Sequence, residues 1–313
     1  MAKFQKIMRK LRTFVKKLTP YGIIEYCNRK ENAVKRTTRR SRNRKQKEIV
    51  NYFRTLDKNN QEPEVLEIIN YLQNNPFSVF PYDYTKKYIP DNIDVFTDKK
   101  YNMLYVLHEN KRMYFPKGWE EDEVQNYYNR LLIEQDADSP HRYESDSIRV
   151  NNRDILADIG AAEGIFALAN IEKSEKVYLF ECDNDWIKAL EKTFEPWKEK
   201  ITLVNKFVSD HTKGNSITLD DYLNGKDINF IKADIEGDET RLLKGAKKTL
   251  ARMEKLQMVL CTYHKEKDAE ELQQELTRQN FRTEFSKRYM LFIYDPELQK
   301  PYLRRGIVRA SKF

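Results

Sequence analysis

Two carboxylates and two glycines stand where an apolar run gives way to a helical pattern. The segment is Asp158-Ile-Gly-Ala-Ala-Glu-Gly164. Glycine at a turn between a strand and a helix lets the backbone approach a ligand closely and adopt dihedral angles that other residues avoid. The glycines are too few and too far apart for the G-x-G-x-x-G pattern that binds a dinucleotide. Carboxylates at Asp158 and Glu163 would repel a pyrophosphate, so the segment favours a ligand with a cationic ammonium group and neutral hydroxyls.

An acidic residue also follows the next apolar run, Val177–Phe180. Glu181 at the end of a second strand could accept hydrogen bonds from both hydroxyls of a ribose, although a solvated strand-end acid would look the same. Because dinucleotide sites share such an acid, Glu181 discriminates only together with the first segment. S-adenosylmethionine carries an ammonium, a sulfonium and ribose hydroxyls, so the two segments together favour this methyl donor over NAD. The predicted donor residues here are Asp158, Gly160, Ala161, Glu163, Gly164 and Glu181.

Two further segments are candidates for the donor pocket. Phe207 and Val208, after the third apolar run, could pack against an adenine ring, although a simple core strand explains them equally well. His141 and Tyr143 lie shortly before the first strand and are predicted to fold over the donor. Asp183 precedes a helical pattern, and we predict that its side chain caps that helix.

Carboxylates and a histidine follow the fourth and fifth apolar runs. Ile228–Ala233 is followed by Asp234 and Glu236, and Leu256–Cys261 leads to His264. In an open parallel sheet these positions face the ligand crevice, beside the donor. Asp234 and Glu236 could orient an acceptor hydroxyl, remove its proton or hold a divalent cation, and His264 is the preferred base because histidine titrates near neutral pH. The structural alternatives are an Asp234 that bonds the turn and an ordinary buried histidine, and no metal is predicted because no closely spaced ligand motif is present.

Alternating apolar and helical runs from residue 152 onward must position these side chains. Strand-like runs alternate with helical ones as far as Arg278, which implies a parallel sheet with helices on both faces. The last two runs, Phe281–Phe285 and Tyr289–Tyr294, are close enough to form a hairpin. The predicted fold is therefore α/β, a Rossmann-like class I methyltransferase sheet that is mostly parallel and ends in an antiparallel hairpin, with a basic helical N-terminal extension.

Four parts are predicted along the chain. They are a basic extension at 1–48, an accessory α+β region at 49–150, the methyltransferase domain at 151–296 and a basic tail at 297–313. The first part holds 17 Lys and Arg against 3 Glu, a net charge of +14 in a chain whose total is +8.

Within the extension, apolar residues between Phe4 and Leu18 recur at helical spacing, with lysines and arginines on the other faces. Such a helix could lie on an anionic membrane, pack on the protein body or contact nucleic acid. An anionic membrane surface is the favoured partner, and nucleic acid is not favoured.

Composition excludes several classes of protein. No apolar run approaches the roughly 18 residues that span a bilayer, and no signal peptide is expected. Cys27, Cys182 and Cys261 are scattered, so neither a disulfide scaffold nor a cysteine-rich zinc site is expected. A cytoplasmic protein, peripheral at most on the inner face of a membrane, fits best.

Five segments give the chain a resemblance to a known family. They are DIGAAEGIFAL at 158–168, YLFECD at 178–183, ITLDDYL at 217–223, FIKADIEGDE at 230–239 and LKGA at 243–246. With these segments the chain resembles the FkbM family of S-adenosylmethionine-dependent methyltransferases, over roughly the second half of its length. The resemblance implies a class I methyltransferase fold and O-methylation of sugars or natural products. It leaves residues 1–130 unexplained.

The leading hypothesis is therefore an O-methyltransferase that uses S-adenosylmethionine and acts on a hydroxyl of a glycan or a small molecule. The alternatives are a nucleic-acid methyltransferase, a non-catalytic scaffold and an NAD-dependent enzyme. The segment Asp234–Gly237 lacks the asparagine–proline pattern of base amination, and the intact acids argue against a scaffold.

Overall fold

The computed structural model describes residues 39–56, 61–295 and 298–313. The chain divides into two units. The first contains the described residues up to Asp83 together with Leu291–Leu303. The second contains Tyr84–Met290 and Arg304–Phe313, and it carries the segments singled out above.

Two helices, α1 (Arg39–Thr55) and α2 (Pro63–Asn74), pack together in the first unit. Ile49 and Phe53 of α1 and Leu72 of α2 are buried, so each helix turns an apolar stripe inward. The amphipathic helix predicted between residues 4 and 18 lies outside the described residues. In the part of the chain that is described, no helix is long and apolar enough to cross a membrane.

The remaining elements follow in chain order. The strands are β1 (Phe96–Asp98), β2 (Met103–His108), β3 (Lys111–Tyr114), β4 (Ile155–Ile159), β5 (Lys176–Phe180), β6 (Ile201–Val204), β7 (Phe207–Val208), β8 (Ser216–Ile217), β9 (Phe230–Ala233), β10 (Leu256–Cys261), β11 (Arg282–Phe285), β12 (Met290–Leu291), β13 (Leu303–Arg304) and β14 (Ile307–Lys312). The helices are α3 (Glu121–Glu134), α4 (Ile165–Asn170), α5 (Asn184–Thr193), α6 (Leu219–Leu223), α7 (Glu239–Gly245), α8 (Lys247–Arg252) and α9 (Asp268–Arg278). Short 3₁₀ helices cover Asp83–Lys87, Pro90–Asn92 and Glu195–Trp197.

A seven-stranded sheet with the order β11-β14-β10-β9-β4-β5-β6 organises the second unit. The last five strands in this order, β10, β9, β4, β5 and β6, are parallel to one another. β14 is antiparallel to both β10 and β11. The predicted α/β class, with a mostly parallel sheet and antiparallel strands from the C-terminal part of the chain, is confirmed. The strand order reverses between β4 and β9, which is where open parallel sheets bind their ligands.

The predicted partner of the last hairpin is wrong. β11 pairs with β14, and not with Tyr289–Tyr294. β14 comes from the segment predicted as a basic tail, and its Ile307, Val308 and Ala310 are fully buried. Insertion beside the central strand β10 removes these apolar side chains from water on both faces of the sheet, which favours this pairing over a local hairpin.

Alternate residues of the central strands face different helices. Ala157 and Ile231 belong to the core that the leucines of α6, α7, α8 and α9 complete. Because successive strand residues point to opposite faces, Phe230 and Lys232 lie on the other side. There Phe166 of α4 contacts Phe230, with ring centroids 5.7 Å apart.

Aromatic side chains attach the region before β4 to helix α5. The ring of Trp186 on α5 lies 5.5–6.2 Å, between centroids, from Phe115, Trp119 and Tyr127. Tyr127 belongs to α3, so this cluster holds α3 against α5, the helix that follows β5.

Candidate active site

The loop between β4 and α4 lies directly against the loop that follows β9. Gly160 has a φ of 74°, and a Cβ at this position would lie 2.1 Å from the backbone oxygen of Asp234. Gly164 has a φ of 77°, and its Cβ would lie 2.7 Å from Leu190 and 2.9 Å from Phe194. The two glycines are therefore required for close packing of the loop on its neighbours, in addition to any approach to a ligand.

Replacing Gly160 with alanine is expected to lower the melting temperature and weaken the binding of S-adenosylhomocysteine. A left-handed φ and a Cβ inside contact distance of a backbone oxygen should together cost about 2 kcal/mol or more. Gly225 is the matched control because its φ is 85° and nothing lies within 4 Å of its Cβ position. If Gly160→Ala and Gly225→Ala have equal effects, the contact between the two loops does not shape the site.

A buried ion pair joins the ends of β4 and β9. Lys232 Nζ lies 2.9 Å from Asp158 Oδ1 and donates to the backbone oxygen of Gly160 at 2.8 Å. Burial lowers the pKa of Lys232, but Asp158 and Asp234 outweigh burial and raise it, so the lysine is a cation. The protein thus neutralises Asp158 itself, and the predicted contact of Asp158 with the donor stays a prediction.

Sequence reasoning missed Lys232, although a signal was present. A lysine interrupts the apolar strand Phe230–Ala233, and the parallel register of β4 and β9 sets it opposite Asp158. Because an unpaired charge inside a buried strand is costly, such a lysine predicts an acidic partner on a neighbouring strand.

Glu181 ties the loop after β4 to the loop after β5. Its Oε2 accepts the N–H of Ala162 at 2.8 Å, and its Oε1 accepts the N–H groups of Cys182 and Asp183, each at 2.7 Å. A carboxylate oxygen can accept a second hydrogen bond, so the predicted contact with a ribose hydroxyl is compatible with this geometry and stays a prediction. Asp183 caps α5 as predicted, because its carboxylate accepts the N–H of Trp186 in the first turn of the helix at 3.4 Å.

Glu163 is buried and bonded to the accessory helix α3. The hydroxyl of Tyr127 donates to Glu163 Oε2 at 2.8 Å. Burial raises the pKa of Glu163 to about 7, and it raises that of the half-buried Glu134, at the end of α3, to about 8. Because burial disfavours their anions, both carboxyls gain from a positively charged ligand. Both acids would therefore favour a cationic ligand more than Asp158 would, because Asp158 is already paired with Lys232.

Replacing Glu163 with glutamine is expected to change how stability depends on pH. The folded state raises the pKa of Glu163 from 4.5 to about 7, so the folded protein binds the proton more tightly and its stability falls as pH rises between these values. Asp158 and Glu134 oppose ionisation, whereas Tyr127 and Lys232 favour it. Denaturation of both proteins should show wild type losing about 2 kcal/mol relative to Glu163→Gln between pH 5 and pH 8. A difference that does not vary with pH would contradict this.

The structure places the two predicted adenine residues in different surroundings. Phe207 lies on β7 and is 39% exposed, whereas Val208 belongs to the hydrophobic core. β7 pairs with β8. Val208 thus occupies the core position that was the alternative interpretation, and the contact of Phe207 with adenine stays a prediction.

Asp234 lies at the centre of a polar cluster at the ends of β9 and β10. Tyr143 donates to its Oδ2 at 3.1 Å, and Tyr263 donates to its Oδ1 at 3.2 Å. His264 Nε2 lies 3.4 Å from Oδ1, and His141 Nε2 lies 3.7 Å from Oδ2. His141 and Tyr143, which were predicted to cover the donor, therefore lie among the acceptor-side residues.

Carboxylates surround His264 on both ring nitrogens. Its Nε2 lies 3.5 Å from Glu236 Oε2, and its Nδ1 lies 3.5 Å from Glu239 Oε1. Burial lowers the pKa of His264 to about 4 against the opposing effect of Asp234, so the ring is neutral at pH 7. Burial, reinforced by Asp234, raises the pKa of Glu236 to about 8. The three predicted acceptor-side residues, Asp234, Glu236 and His264, are thus brought together.

Arg304 fixes the backbone of this cluster from the far end of the chain. Its Nη1 donates to the backbone oxygens of Tyr263 and His264 at 2.7 and 2.9 Å. Nothing in the local sequence marks Arg304 as part of the site, because its contacts with the segment after β10 join distant parts of the chain. Tyr263 sits next to His264 in the sequence and was the one neighbour that proximity alone could have suggested.

The donor-side loops fit S-adenosylmethionine. The donor residues predicted in the loops after β4 and β5 lie beside the point where the strand order reverses. Ala161 is fixed there, because its N–H donates to the backbone oxygen of Phe180 at 3.0 Å. Glu163 and Glu134 favour a cationic ligand, and Glu181 stands where a nucleoside would meet the second strand. The residues that would hold the donor are therefore Gly160, Ala161, Glu163, Glu181 and Glu134.

The sheet order, the paired acidic loops and the polar cluster at the tips of β9 and β10 define a class I methyltransferase. The Methyltransferase FkbM domain matches residues 125–283, about half of the chain. The chain therefore belongs to the FkbM methyltransferase family, whose methyl donor is S-adenosylmethionine.

Solved structures similar to this chain share low sequence identity with it. A methyltransferase FkbM from Methylobacillus flagellatus KT is 18% identical, with a TM-score of 0.42, over 62% of this chain and 53% of that chain. An rRNA methylase from Streptococcus thermophilus is 16% identical, with a TM-score of 0.36, over 52% of this chain and 89% of that chain. A Streptococcus mutans protein in complex with SAH is 14% identical, with a TM-score of 0.35, over 53% of this chain and 92% of that chain. The match thus spans about half the length of the first structure, and no curated protein matches the chain.

Proposed function

We propose that the protein is an S-adenosylmethionine-dependent O-methyltransferase that acts on a sugar hydroxyl of a glycan or a related metabolite. The observation that carries this proposal is the direct contact between the donor-side loop and the acceptor-side cluster. A Cβ on Gly160 would lie 2.1 Å from the backbone oxygen of Asp234, so a donor on one loop and an acceptor on the other would be neighbours. Holding two reactants in this way is the main contribution that an enzyme makes to a displacement at carbon.

The bound donor supplies an electrophilic methyl group. His264 Nε2 is the group that takes the proton of the acceptor hydroxyl, because burial keeps the ring neutral at pH 7. The imidazolium that results is stabilised by the carboxylate of Asp234, whose Oδ1 lies 3.4 Å from this nitrogen. Tyr143 and Tyr263 hold the carboxylate of Asp234 in place.

Two features support a hydroxyl-rich acceptor near a membrane. Carboxylate oxygens and tyrosine hydroxyls dominate the acceptor side, and these groups pair well with sugar hydroxyls. The 17 basic residues among residues 1–48 suit an anionic lipid surface.

The acceptor is tested by incubating the full chain with methyl-labelled donor and fractionated cell envelope. Labelled glycan or glycolipid is the expected product, with the label stable to base as an ether. Label in RNA, or binding to RNA that falls steeply with salt, would instead support a nucleic-acid methyltransferase. No labelled product with any fraction, from a protein that binds S-adenosylhomocysteine, would favour the non-catalytic scaffold.

Membrane association is tested by cosedimentation with phosphatidylglycerol vesicles. Replacing the basic residues between positions 3 and 17 with glutamine should abolish binding while leaving donor binding intact; they are Lys3, Lys6, Arg9, Lys10, Arg12, Lys16 and Lys17. The control variant loses the same number of charges elsewhere and should still bind the vesicles. It replaces seven exposed lysines with glutamine: Lys188, Lys198, Lys226, Lys244, Lys247, Lys248 and Lys255. Equal loss in both variants would show a non-specific charge effect.

A further inference from the structure

Tyr143 donates to Asp234 from a segment that is neither helix nor strand. Residues 142–144 lie between α3 and β4, outside the regular elements of the described chain, so no helix or sheet pairing fixes their backbone. Tyr143 is nevertheless buried, and its hydroxyl lies 3.1 Å from Asp234 Oδ2. The ring also lies beside Lys232, whose Nζ is 5.3 Å from the ring centroid. Contacts with other parts of the chain therefore set the position of this side chain.

Arg309 on β14 binds this segment through three successive backbone oxygens. Its Nε donates to the oxygen of Tyr143 at 2.8 Å. Its Nη2 donates to the oxygen of Arg142 at 2.6 Å and, at the longer distance of 3.5 Å, to that of Glu144. Arg309 is 7% exposed, and a guanidinium carries five N–H donors in a rigid plane. The backbone oxygens thus stabilise the buried cation, and the cation in turn fixes the backbone.

The turn that leads into β14 packs against the same part of the chain. A Cβ on Gly306 would lie 2.1 Å from the backbone oxygen of Pro140 and 3.3 Å from the backbone nitrogen of His141. The backbone oxygen of Gly306 accepts the N–H of Thr262 at 3.0 Å, and the hydroxyl of Thr262 donates to the backbone oxygen of Arg305 at 2.7 Å. The C-terminal segment therefore contacts both the segment before β4 and the segment after β10, which together supply the polar cluster.

We infer that Arg309 is a positioning residue for methyl transfer, which acts by holding Tyr143 against Asp234. The contacts described between its guanidinium and residues 142–144 are all to backbone oxygens, so the effect passes through the backbone. Lysine is a poor replacement, because an ammonium is a point charge that lacks the planar fork of donors. The effect on rate rests on the proposed function: without the bond from Tyr143, the carboxylate of Asp234 is less well placed beside His264 Nε2, 3.4 Å away.

The test compares Arg309→Lys with wild type in methyl transfer from labelled donor to the envelope fraction. Each rate is divided by the number of S-adenosylhomocysteine sites measured by calorimetry, so that unfolded molecules do not count. The rate per site should fall on the order of 10²-fold, because small displacements of reacting groups are costly. Arg309→Gln, which replaces the cation with a neutral donor, serves if the lysine variant does not bind S-adenosylhomocysteine.

Arg252→Lys is the matched control. Arg252 also donates to a backbone oxygen, that of Lys226 at 2.6 Å, and it pairs with Asp227. Residues 226 and 227 precede β9, so this contact lies at the opposite edge of the sheet from the polar cluster. The rate per site of this variant should stay within threefold of wild type.

Two further measurements show whether Arg309 acts through Tyr143. Tyr143→Phe removes the hydroxyl that donates to Asp234, so adding Arg309→Lys to this variant should slow it less than threefold further. Hydrogen exchange followed by mass spectrometry requires no acceptor. Peptides covering residues 141–147 should exchange at least 10-fold faster in Arg309→Lys than in wild type, while peptides covering β4 and β5 exchange at the same rate.

Four outcomes would overturn the inference. They are an unchanged rate per site in Arg309→Lys, effects of Arg309→Lys and Tyr143→Phe that multiply in the double variant, unchanged exchange at 141–147, and a loss of S-adenosylhomocysteine sites with a normal rate at those that remain. The last would make Arg309 a structural residue only. If wild type transfers no methyl group to any fraction, the proposed function fails, and the exchange result then decides whether Arg309 holds the segment of Tyr143.

Discussion

Asp234→Asn is expected to lower the rate of methyl transfer on the order of 10³-fold while leaving the affinity for S-adenosylhomocysteine nearly unchanged. Asparagine keeps the shape of the side chain but removes the charge that receives hydrogen bonds from Tyr143 and Tyr263. It also removes the anion 3.4 Å from His264 Nε2. Without this anion the imidazolium that forms when Nε2 takes the proton is less stable, so the acceptor hydroxyl loses its activation.

The rate of methyl transfer in a single turnover, from methyl-labelled donor to the envelope fraction that accepts the label, measures this effect. Asp227→Asn is the control, since Asp227 is 68% exposed and pairs with Arg252 away from the cluster. A rate for Asp234→Asn within threefold of the control would remove Asp234 from the reaction, and a parallel collapse of S-adenosylhomocysteine binding would make it a structural residue.

Lys232→Met is expected to have the largest effect on stability. It leaves the carboxylate of Asp158 buried without its partner 2.9 Å away, and breaking one side of a buried pair costs about 3–5 kcal/mol. It also removes the hydrogen bond to the backbone oxygen of Gly160, so the loop after β4 should bind the donor less tightly. Chemical denaturation followed by circular dichroism measures the loss.

The double variant Lys232→Met with Asp158→Asn separates the two causes. Removing the buried charge should recover a large part of the lost stability, because a neutral amide is less costly to bury than an unpaired carboxylate. Donor binding should stay weak, since the bond to Gly160 is not restored. If single and double variants unfold at the same denaturant concentration, the ion pair does not stabilise the fold.

Much of the sheet could be predicted from the sequence because its signals are local. Apolar runs mark β4, β5, β9 and β10, and the acids at their ends follow directly in the chain. Parallel strands place those ends along one edge, so Asp234, Glu236 and His264 could be expected to meet.

What the sequence did not predict depends on contacts between distant segments. The tail supplies β14 and Arg304, but its basic composition favoured a surface position over insertion beside β10. Tyr127 donates a hydrogen bond to Glu163, and an aromatic cluster positions Tyr127. The members of that cluster are scattered between residues 115 and 186. Tyr143 donates to Asp234 and His141 lies beside it, contacts that no local pattern in the sequence predicts, and their contact with the donor stays a prediction.

Calorimetric titration of the full chain with S-adenosylhomocysteine tests most directly whether this molecule binds at the junction of β4 and β9. One equivalent should bind to wild type, Gly160→Ala should bind it more weakly, and NAD should give no heat. Saturable binding of NAD would mean that the acidic loops bind another ligand. The absence of binding heat when S-adenosylhomocysteine is added to a well-folded sample would mean the same.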